Sequence, residues 1–199
     1  MRRTLWTAIA LTIVMTVLTG LAYPLVVTGI AQGVFHHQAN GSLVAGTNGQ
    51  PVGSELIGQS FADAHGNPLR VWFQPRPSAA GTGYDGMSSG AANLGPTNPA
   101  LISAVSQAAT AYRVFNGLSA GAAVPSDAVT SSGSGLDPEI SVANARLQAP
   151  RVAIARHLPL AQVRRMIDAA TVGRVLDVMG QPGVNVLDLN LALARTGSR

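Results

Sequence analysis

Three glycines, Gly81, Gly83 and Gly86, satisfy the spacing G-x-G-x-x-G. That spacing binds a dinucleotide when a strand feeds it and a helix starts on it, because the helix N-terminus then meets the pyrophosphate. Here Pro75 and Pro77 precede it and no helical pattern follows until Asn98, so it reads as a loop. Residues 131–135, Ser-Ser-Gly-Ser-Gly, do not make the G-x-S-x-G elbow of a serine hydrolase. His65 and His157 stand singly, and the adjacent pair His36 and His37 would point apart on a helix or strand, which is poor geometry for a metal. No two carboxylates share a recognisable acid–base setting. Cysteine is absent, which removes disulfides and thiolate chemistry, and lysine is absent, which removes P-loop and Schiff-base lysines. The residues therefore predict no catalytic site, no metal site and no tightly bound cofactor.

The elements that carry these residues explain more. In 199 residues, 47% are hydrophobic and only 11% charged, less than half the roughly 25% of a soluble protein. The pI of 10.6 does not signal a nucleic-acid binder: the net charge is only +4, and the value reflects a small arginine excess in a chain without lysine. From Thr4 to Phe35 no residue is charged. The core of this stretch, residues 5–27, gives a helix of ~34 Å, enough to cross a bilayer. It is longer than a signal-peptide core and lacks a small-residue cleavage site, so it predicts a retained anchor. Trp6 and Tyr23 stand near its two ends as interfacial aromatics. Arg2 and Arg3 precede it, and the next charge is Glu55; the positive-inside rule then puts the N-terminus in the cytoplasm and the rest of the chain outside. Thr12, Thr16, Thr19 and Gly20 form a small-residue stripe suited to packing against a neighbouring helix. Pro24 and Gly29 predict a kink or an end near the outer surface.

The expected organisation is an anchor over residues 1–35 and a small mixed α/β extracytoplasmic domain over 36–199, an α+β fold class. Charge is uneven along the domain, −3 over residues 36–145 and +5 over 146–199. Short strands are predicted at 55–61 and 71–73, then a Gly- and Pro-rich loop over 75–99. A helix follows, N-capped by Asn98, with Pro99 in its first turn, Gly117 at its end and Leu101, Ile102, Val105, Ala108, Tyr112 and Phe115 on its apolar face. A short strand is predicted near Val129, and a helix over 141–148 that stops before Pro150 and restarts after it. Another helix begins near Leu160 with Val163, Met166, Ile167 and Ala170 inward; Val172, Val175, Leu176 and Met179 extend the stripe into one more. The stretch 184–193 alternates as a strand would, with a terminal helix as the alternative. Within the long loop Arg76 is the natural partner-interface residue, because a guanidinium binds carboxylates or carbonyls in pairs.

Several stretches together carry a resemblance: Thr-Gly-Leu-Ala-Tyr-Pro-Leu-Val-Val-Thr-Gly at 19–29, Gln-Ala-Asn-Gly-Ser-Leu at 38–43, Gly-Ser-Glu-Leu-Ile-Gly-Gln at 53–59 and Pro-Arg-Pro-Ser-Ala at 75–79. Further along come Asn-Leu-Gly-Pro-Thr-Asn-Pro at 93–99, Ser-Gly-Ser-Gly-Leu-Asp at 132–137, Pro-Arg-Val-Ala at 150–153, and Val-Asn-Val and Leu-Asn-Leu-Ala-Leu within 184–193. In this order, over nearly the whole length, the chain resembles the KdpC family, the C subunit of the bacterial Kdp potassium-importing P-type ATPase. The resemblance implies a non-catalytic accessory subunit in the cell membrane. Its implied partners are a channel-like potassium-conducting subunit, an ATP-hydrolysing P-type subunit and a very small membrane peptide. It implies a role in assembly, and a role as catalytic chaperone that raises the ATP affinity of the ATPase subunit, with ATP met through that subunit and Gln148 as the matching nucleotide-contacting position. The charge rule opposes direct contact, since an outer domain does not reach cytoplasmic ATP. A stand-alone anchored module that binds an outer-face ligand is the alternative. A reporter enzyme fused after Arg199 is expected to be active only outside the cytoplasm; activity inside would reverse the orientation.

Overall fold

The computed structural model describes residues 1–46 and 48–196 of the chain. The chain divides into two compact units, Met1–Leu43 and Val44–Arg199. The predicted fold class holds: one N-terminal apolar helix, then a small domain of mixed helix and sheet.

The first unit is helix α1 (Arg2–Val17), a π-turn (Leu18–Ala22), α2 (Tyr23–Val34) and the single turn α3 (His36–Ala39). Together residues 2–34 make a 33-residue helix of mean hydropathy 2.0, about 50 Å long and sufficient to cross a bilayer. None of its residues is buried. The expected break at Pro24 does not occur. Proline lacks an N–H, and its ring crowds the carbonyl four residues back, at Gly20. The π-turn lies across that carbonyl, and the Tyr23 N–H bonds instead to Leu18 O, five residues back. The wider turn lets the helix pass the proline, and Gly29 is carried inside α2.

In the second unit, strands β1 (Leu43–Ala45) and β2 (Pro51–Ser54) form a two-stranded ribbon. Helix α4 (Pro99–Asn116) begins and ends as predicted: Asn98 Oδ1 accepts the Ala100 N–H at 2.9 Å, and Gly117 takes the left-handed φ of +67° that closes a helix. Its face is only half covered, and Ile102, expected inward, is exposed. Beyond a 3₁₀ turn (Ser126–Ala128), where a strand near Val129 was expected, come β3 (Glu139–Ser141), α5 (Val142–Ala155), α6 (Leu160–Ala169), β4 (Thr171–Val172), β5 (Gly183–Asn185) and α7 (Val186–Thr196). The three strands make an antiparallel sheet in the order β3-β5-β4, with Ile140 and Thr171 both registered on Val184. Ile140 and Val184 join Val152, Val163, Ile167, Leu189, Leu193 and Phe73 in one core between the sheet and helices α5, α6 and α7.

Four further expectations are corrected. Helix α5 runs through Pro150, which faces solvent, so water can hydrate the Arg146 carbonyl that the proline leaves free. The 184–193 stretch is strand for two residues only; the Asn185 side chain then accepts the Asp188 N–H at 3.1 Å and caps α7, which buries Val186, Leu189, Asn190 and Leu193 at helical spacing. Residues 172–179 form a reverse turn rather than a helix, with Val175 and Met179 bridged. Neither 55–61 nor 71–73 is a strand. At 55–61 the Gly58 N–H goes to Leu136 O (2.8 Å) and the Glu55 carbonyl to the Asn185 amide (2.9 Å). At 71–73 side chains replace the neighbouring strand: the buried Asn190 amide accepts the Phe73 N–H at 2.9 Å and donates to Phe73 O at 3.0 Å.

Asn190→Leu keeps the volume of that side chain but orphans both backbone groups of Phe73. Each orphaned buried group costs about 1–3 kcal/mol. We expect a loss of about 2–5 kcal/mol in denaturant unfolding of the full chain in detergent, and no change in helix content below the transition.

Candidate functional site

Helix α5 carries two adjacent inner stripes. One is apolar, Ala145, Ala149 and Val152; the other is polar, Asn144, Gln148 and Arg151. The polar stripe is buried throughout and is a hydrogen-bond relay with a fixed direction. At one end Arg151 can only donate: Nη2 to Gln148 Oε1 (2.8 Å), Nε to Asn116 Oδ1 (2.9 Å), and Nη1 to the carbonyls of Trp72 (3.0 Å) and Arg70. At the other end Asp127 can only accept: from Asn144 Nδ2 (3.0 Å), the Ser141 N–H (2.8 Å) and the Ser141 hydroxyl (2.9 Å). Between them Gln148 Nε2 donates to Asn144 Oδ1 at 2.9 Å. The two amides thus link a buried cation to its counter-charge.

The same side chains hold the segment that enters the long loop. Gln148 Oε1 also accepts the Gln74 N–H (2.8 Å), and Nε2 donates to Gln74 O (2.9 Å). Both donors and both acceptor positions of Gln148 are therefore engaged inside the domain, and the residue is 1% exposed. Arg151 and Arg70 both lie over the Phe115 ring, 4.5 and 5.5 Å from its centroid. Burial, with Arg70 nearby, pushes the Arg151 guanidinium down to about 10, so it stays charged at neutral pH. Tyr112 donates to Asn144 Oδ1 at 2.7 Å, and burial raises its phenol. Arg156 stacks on Trp72 at 3.9 Å and donates to Val71 O at 2.8 Å, with its guanidinium lowered by burial.

Arg76 lies in a knot of loops built from the stretches that carry the resemblance. Its Nη1 meets Asp137 Oδ2 at 3.1 Å and its Nη2 donates to Ser131 O at 3.3 Å, while the Tyr84 hydroxyl donates to the Arg76 carbonyl. Ser78 Oγ donates to Gly135 O at 2.6 Å, and the Gly90 N–H to Ser134 O at 2.9 Å. Gly135 has φ +71°, and a Cβ there would stand 2.7 Å from both Ala80 N and Gly90 O, so only glycine fits. The glycines at 81, 83 and 86 sit in turns of this loop, and no helix starts on them. A largely apolar hollow of about 760 Å³ opens beside the knot, with Tyr84, Tyr112 and Phe115 among its walls, Arg70 and Arg76 beside them and Gln148 in the floor.

In the apolar helix two threonine hydroxyls of the stripe bond back to their own backbone, Thr12 to Ala8 O at 2.9 Å and Thr19 to Met15 O at 2.6 Å. Gly20 lies beside Thr16, whose Cγ2 would be 3.9 Å from a Cβ at position 20. The stripe is thus small, with two of its three hydroxyls already hydrogen-bonded, which suits close approach of backbones. Among the described residues no group of three or more His, Asp and Glu is placed to hold a metal.

Sequence reasoning missed Arg151, Asp127, Asn144 and Asn190. For the three on helices the signal was a polar residue inside an otherwise apolar face, as in Leu-Asn-Leu at 189–191; Asp127, in a 3₁₀ turn, carried none. That signal marks burial but not the partner.

Comparison with known proteins gives consistent matches. The family model described as KdpC, K+-transporting ATPase, c chain, matches residues 5–195. The potassium-transporting ATPase KdpC subunit of Mycobacterium tuberculosis strain H37Rv is 53% identical over 195 residues, spanning 98% of this chain and 100% of that one. The subunit of the same name from Acidobacterium capsulatum is 52% identical over 187 residues, 94% of this chain and 95% of that one. That of Caulobacter sp. strain K31 is 55% identical over 178 residues, 89% and 86%.

The relay depends on the planar fork of Arg151, which reaches carbonyls and amides on several sides while lying on Phe115. Arg151→Lys keeps the charge but not the fork. We expect it to destabilise the full chain by about 1–3 kcal/mol in denaturant unfolding, the cost of buried acceptors left without donors; an unchanged midpoint would mean the fork is dispensable.

Proposed function

The chain belongs to the KdpC family and is an accessory subunit of Kdp potassium import, associated with the membrane; on that premise we propose that it works by assembling and stabilising the complex, without chemistry of its own. The observation that carries this reading is the saturation of Gln148. Its amide has four partners within the domain and almost no exposed surface, so its part is to hold the 70–74 segment rather than to receive a nucleotide.

In this reading residues 1–35 are a single-pass anchor, with the N-terminus cytoplasmic and the 36–199 domain outside, as Arg2 and Arg3 direct. None of residues 2–34 is buried. Thr12, Thr16, Thr19 and Gly20 then pack against a helix of a partner: the potassium-conducting subunit, the ATP-hydrolysing subunit or the small membrane peptide. Arg76 shapes the loop surface offered to that assembly through its pair with Asp137, and the subunit holds no cofactor tightly.

A second reading is the catalytic chaperone, which raises the ATP affinity of the ATPase subunit. The hollow over Gln148 favours it, because aromatic walls beside arginines suit a base and its phosphates. One set of measurements separates the two. The wild-type chain, Gly20→Leu, Arg76→Ala and Gln148→Ala are each co-expressed with the other Kdp subunits, purified in mild detergent and titrated with ATP. Gly20→Leu overpacks the helix face and should weaken retention by about 1–2 kcal/mol. Arg76→Ala should lower retention and potassium-stimulated ATPase activity. Complexes that keep the Gln148→Ala chain should reach half-maximal activity at the wild-type ATP concentration. A several-fold rise there, with the complex intact, would establish the chaperone reading. A wild-type chain that purifies alone would favour a stand-alone module.

A further inference from the structure

Residues 172–179 read Val-Gly-Arg-Val-Leu-Asp-Val-Met. They leave edge strand β4 and return as a reverse turn closed by two bonds, Val175 N–H to Met179 O at 2.9 Å and Met179 N–H to Val175 O at 3.0 Å. At the apex Leu176 and Asp177 both adopt left-handed backbone, φ +54° and +59°. That conformation is disfavoured for any residue with a Cβ, and most of all for one with a bulky side chain. Around the apex five large apolar side chains, Val172, Val175, Leu176, Val178 and Met179, are exposed, from 55% at Val172 to 82% at Leu176. This domain buries its other valines and leucines on β5 and α7 close by in the chain, yet here a strained turn holds them outward.

Size and charge together identify what covers them. The patch is on the order of a few hundred Å², more than scattered surface residues. A free-standing protein pair needs roughly 1,200 Å² or more, so a second copy of this chain joined through the turn alone would not hold. A small contact suffices when the two partners are already held together elsewhere, here through the apolar anchor, because the second contact then forms at high effective concentration. Asp177, at the apex between Leu176 and Val178, makes no ion pair among the described residues. Acyl chains do not accept a carboxylate without a large cost, and Arg174, the other charge of the turn, makes no ion pair with it. The turn also lacks the aromatic residues that favour an interface with lipid. A protein surface with an apolar recess and a basic side chain at its base meets both requirements.

We propose that the 172–179 turn is a docking finger. It seats Leu176 and Val178 in an apolar recess of a membrane-embedded partner subunit, on the side of the membrane where the domain lies, and pairs Asp177 with an arginine or lysine there. The proposal rests on the accessory-subunit reading and adds the contact through which the domain, as distinct from the anchor, is held.

The test uses the full chain co-expressed with the other Kdp subunits. A photo-reactive side chain at position 176 should cross-link to one of those subunits, and the same group at the exposed position 154 of α5 should not. Asp177→Arg should lower the fraction of chain retained on the complex by about ten-fold, the scale of one lost buried contact. Leu176→Gly relieves the backbone, so the melting temperature of the full chain should hold or rise while retention falls several-fold; a merely structural role would move both downward. Adducts with lipid alone, or unchanged retention of both variants in a complex that still contains the wild-type chain, overturn the docking finger and leave the subunit reading standing. Failure of the wild-type chain to co-purify overturns the subunit reading, and the finger with it.

Discussion

A buried guanidinium with no carboxylate in contact among the described residues holds this domain together. Arg151 would be costly to desolvate alone, and it is accommodated because two amides carry its charge toward Asp127 and two backbone carbonyls share the rest. The relay has one workable direction. An arginine cannot accept and a carboxylate cannot donate, so each amide between them has one orientation that satisfies every neighbour. A network of this kind specifies a unique packing in a core whose apolar side chains are mostly small, such as Ala145, Ala149 and Val152. The ring stacks of Arg151 on Phe115 and Arg156 on Trp72 extend the arrangement to α4 and to the segment entering the loop.

The relay also explains how a long loop rich in Gly and Pro can be held in place without a sheet. The 70–74 segment leaves a turn at Arg70–Val71 and has no strand beside it. Gln148 and Arg151 from α5, Arg156 just after it and Asn190 from α7 take the bonds that a ladder would have made. From there the chain continues to Arg76, whose partly exposed pair with Asp137 contributes little energy but fixes where the loop turns. The hydroxyls of Ser78 and Ser132 and the backbone of Gly135 complete the knot. An accessory subunit needs a surface of stable shape more than it needs reactive groups, and buried polar contacts supply that stability of shape.

The apolar helix obeys a separate constraint. A helix of this length and hydropathy is suited to lipid, where a backbone must satisfy its own hydrogen bonds. The π-turn before Pro24 is the local adjustment that lets a proline stay inside such a helix, and the hydroxyls of Thr12 and Thr19 bond back to their own backbone for the same reason.

The sequence by itself determined the long apolar helix, the fold class, the family and the elements whose signals are local. An uncharged run longer than a bilayer is thick, a cap residue at Asn98, a left-handed glycine at 117 and the 163, 166, 167, 170 stripe each depend on neighbours within a few residues, and each was legible. Only the tertiary structure decided the rest, because the deciding partner is far along the chain. The 71–73 stretch has strand composition, but Asn190, 117 residues away from Phe73, takes its ladder bonds. Pro150 reads as a helix break, but α5 continues because that position faces water. The 172–179 stretch has helical periodicity, but β4 pairs with β5 and commits the chain to a turn, which exposes the apolar residues that a helix would have buried. Gln148 and Arg76 were singled out as contact residues; that each is bound to groups of its own domain follows from contacts 74 and 61 residues distant, which no local spacing encodes.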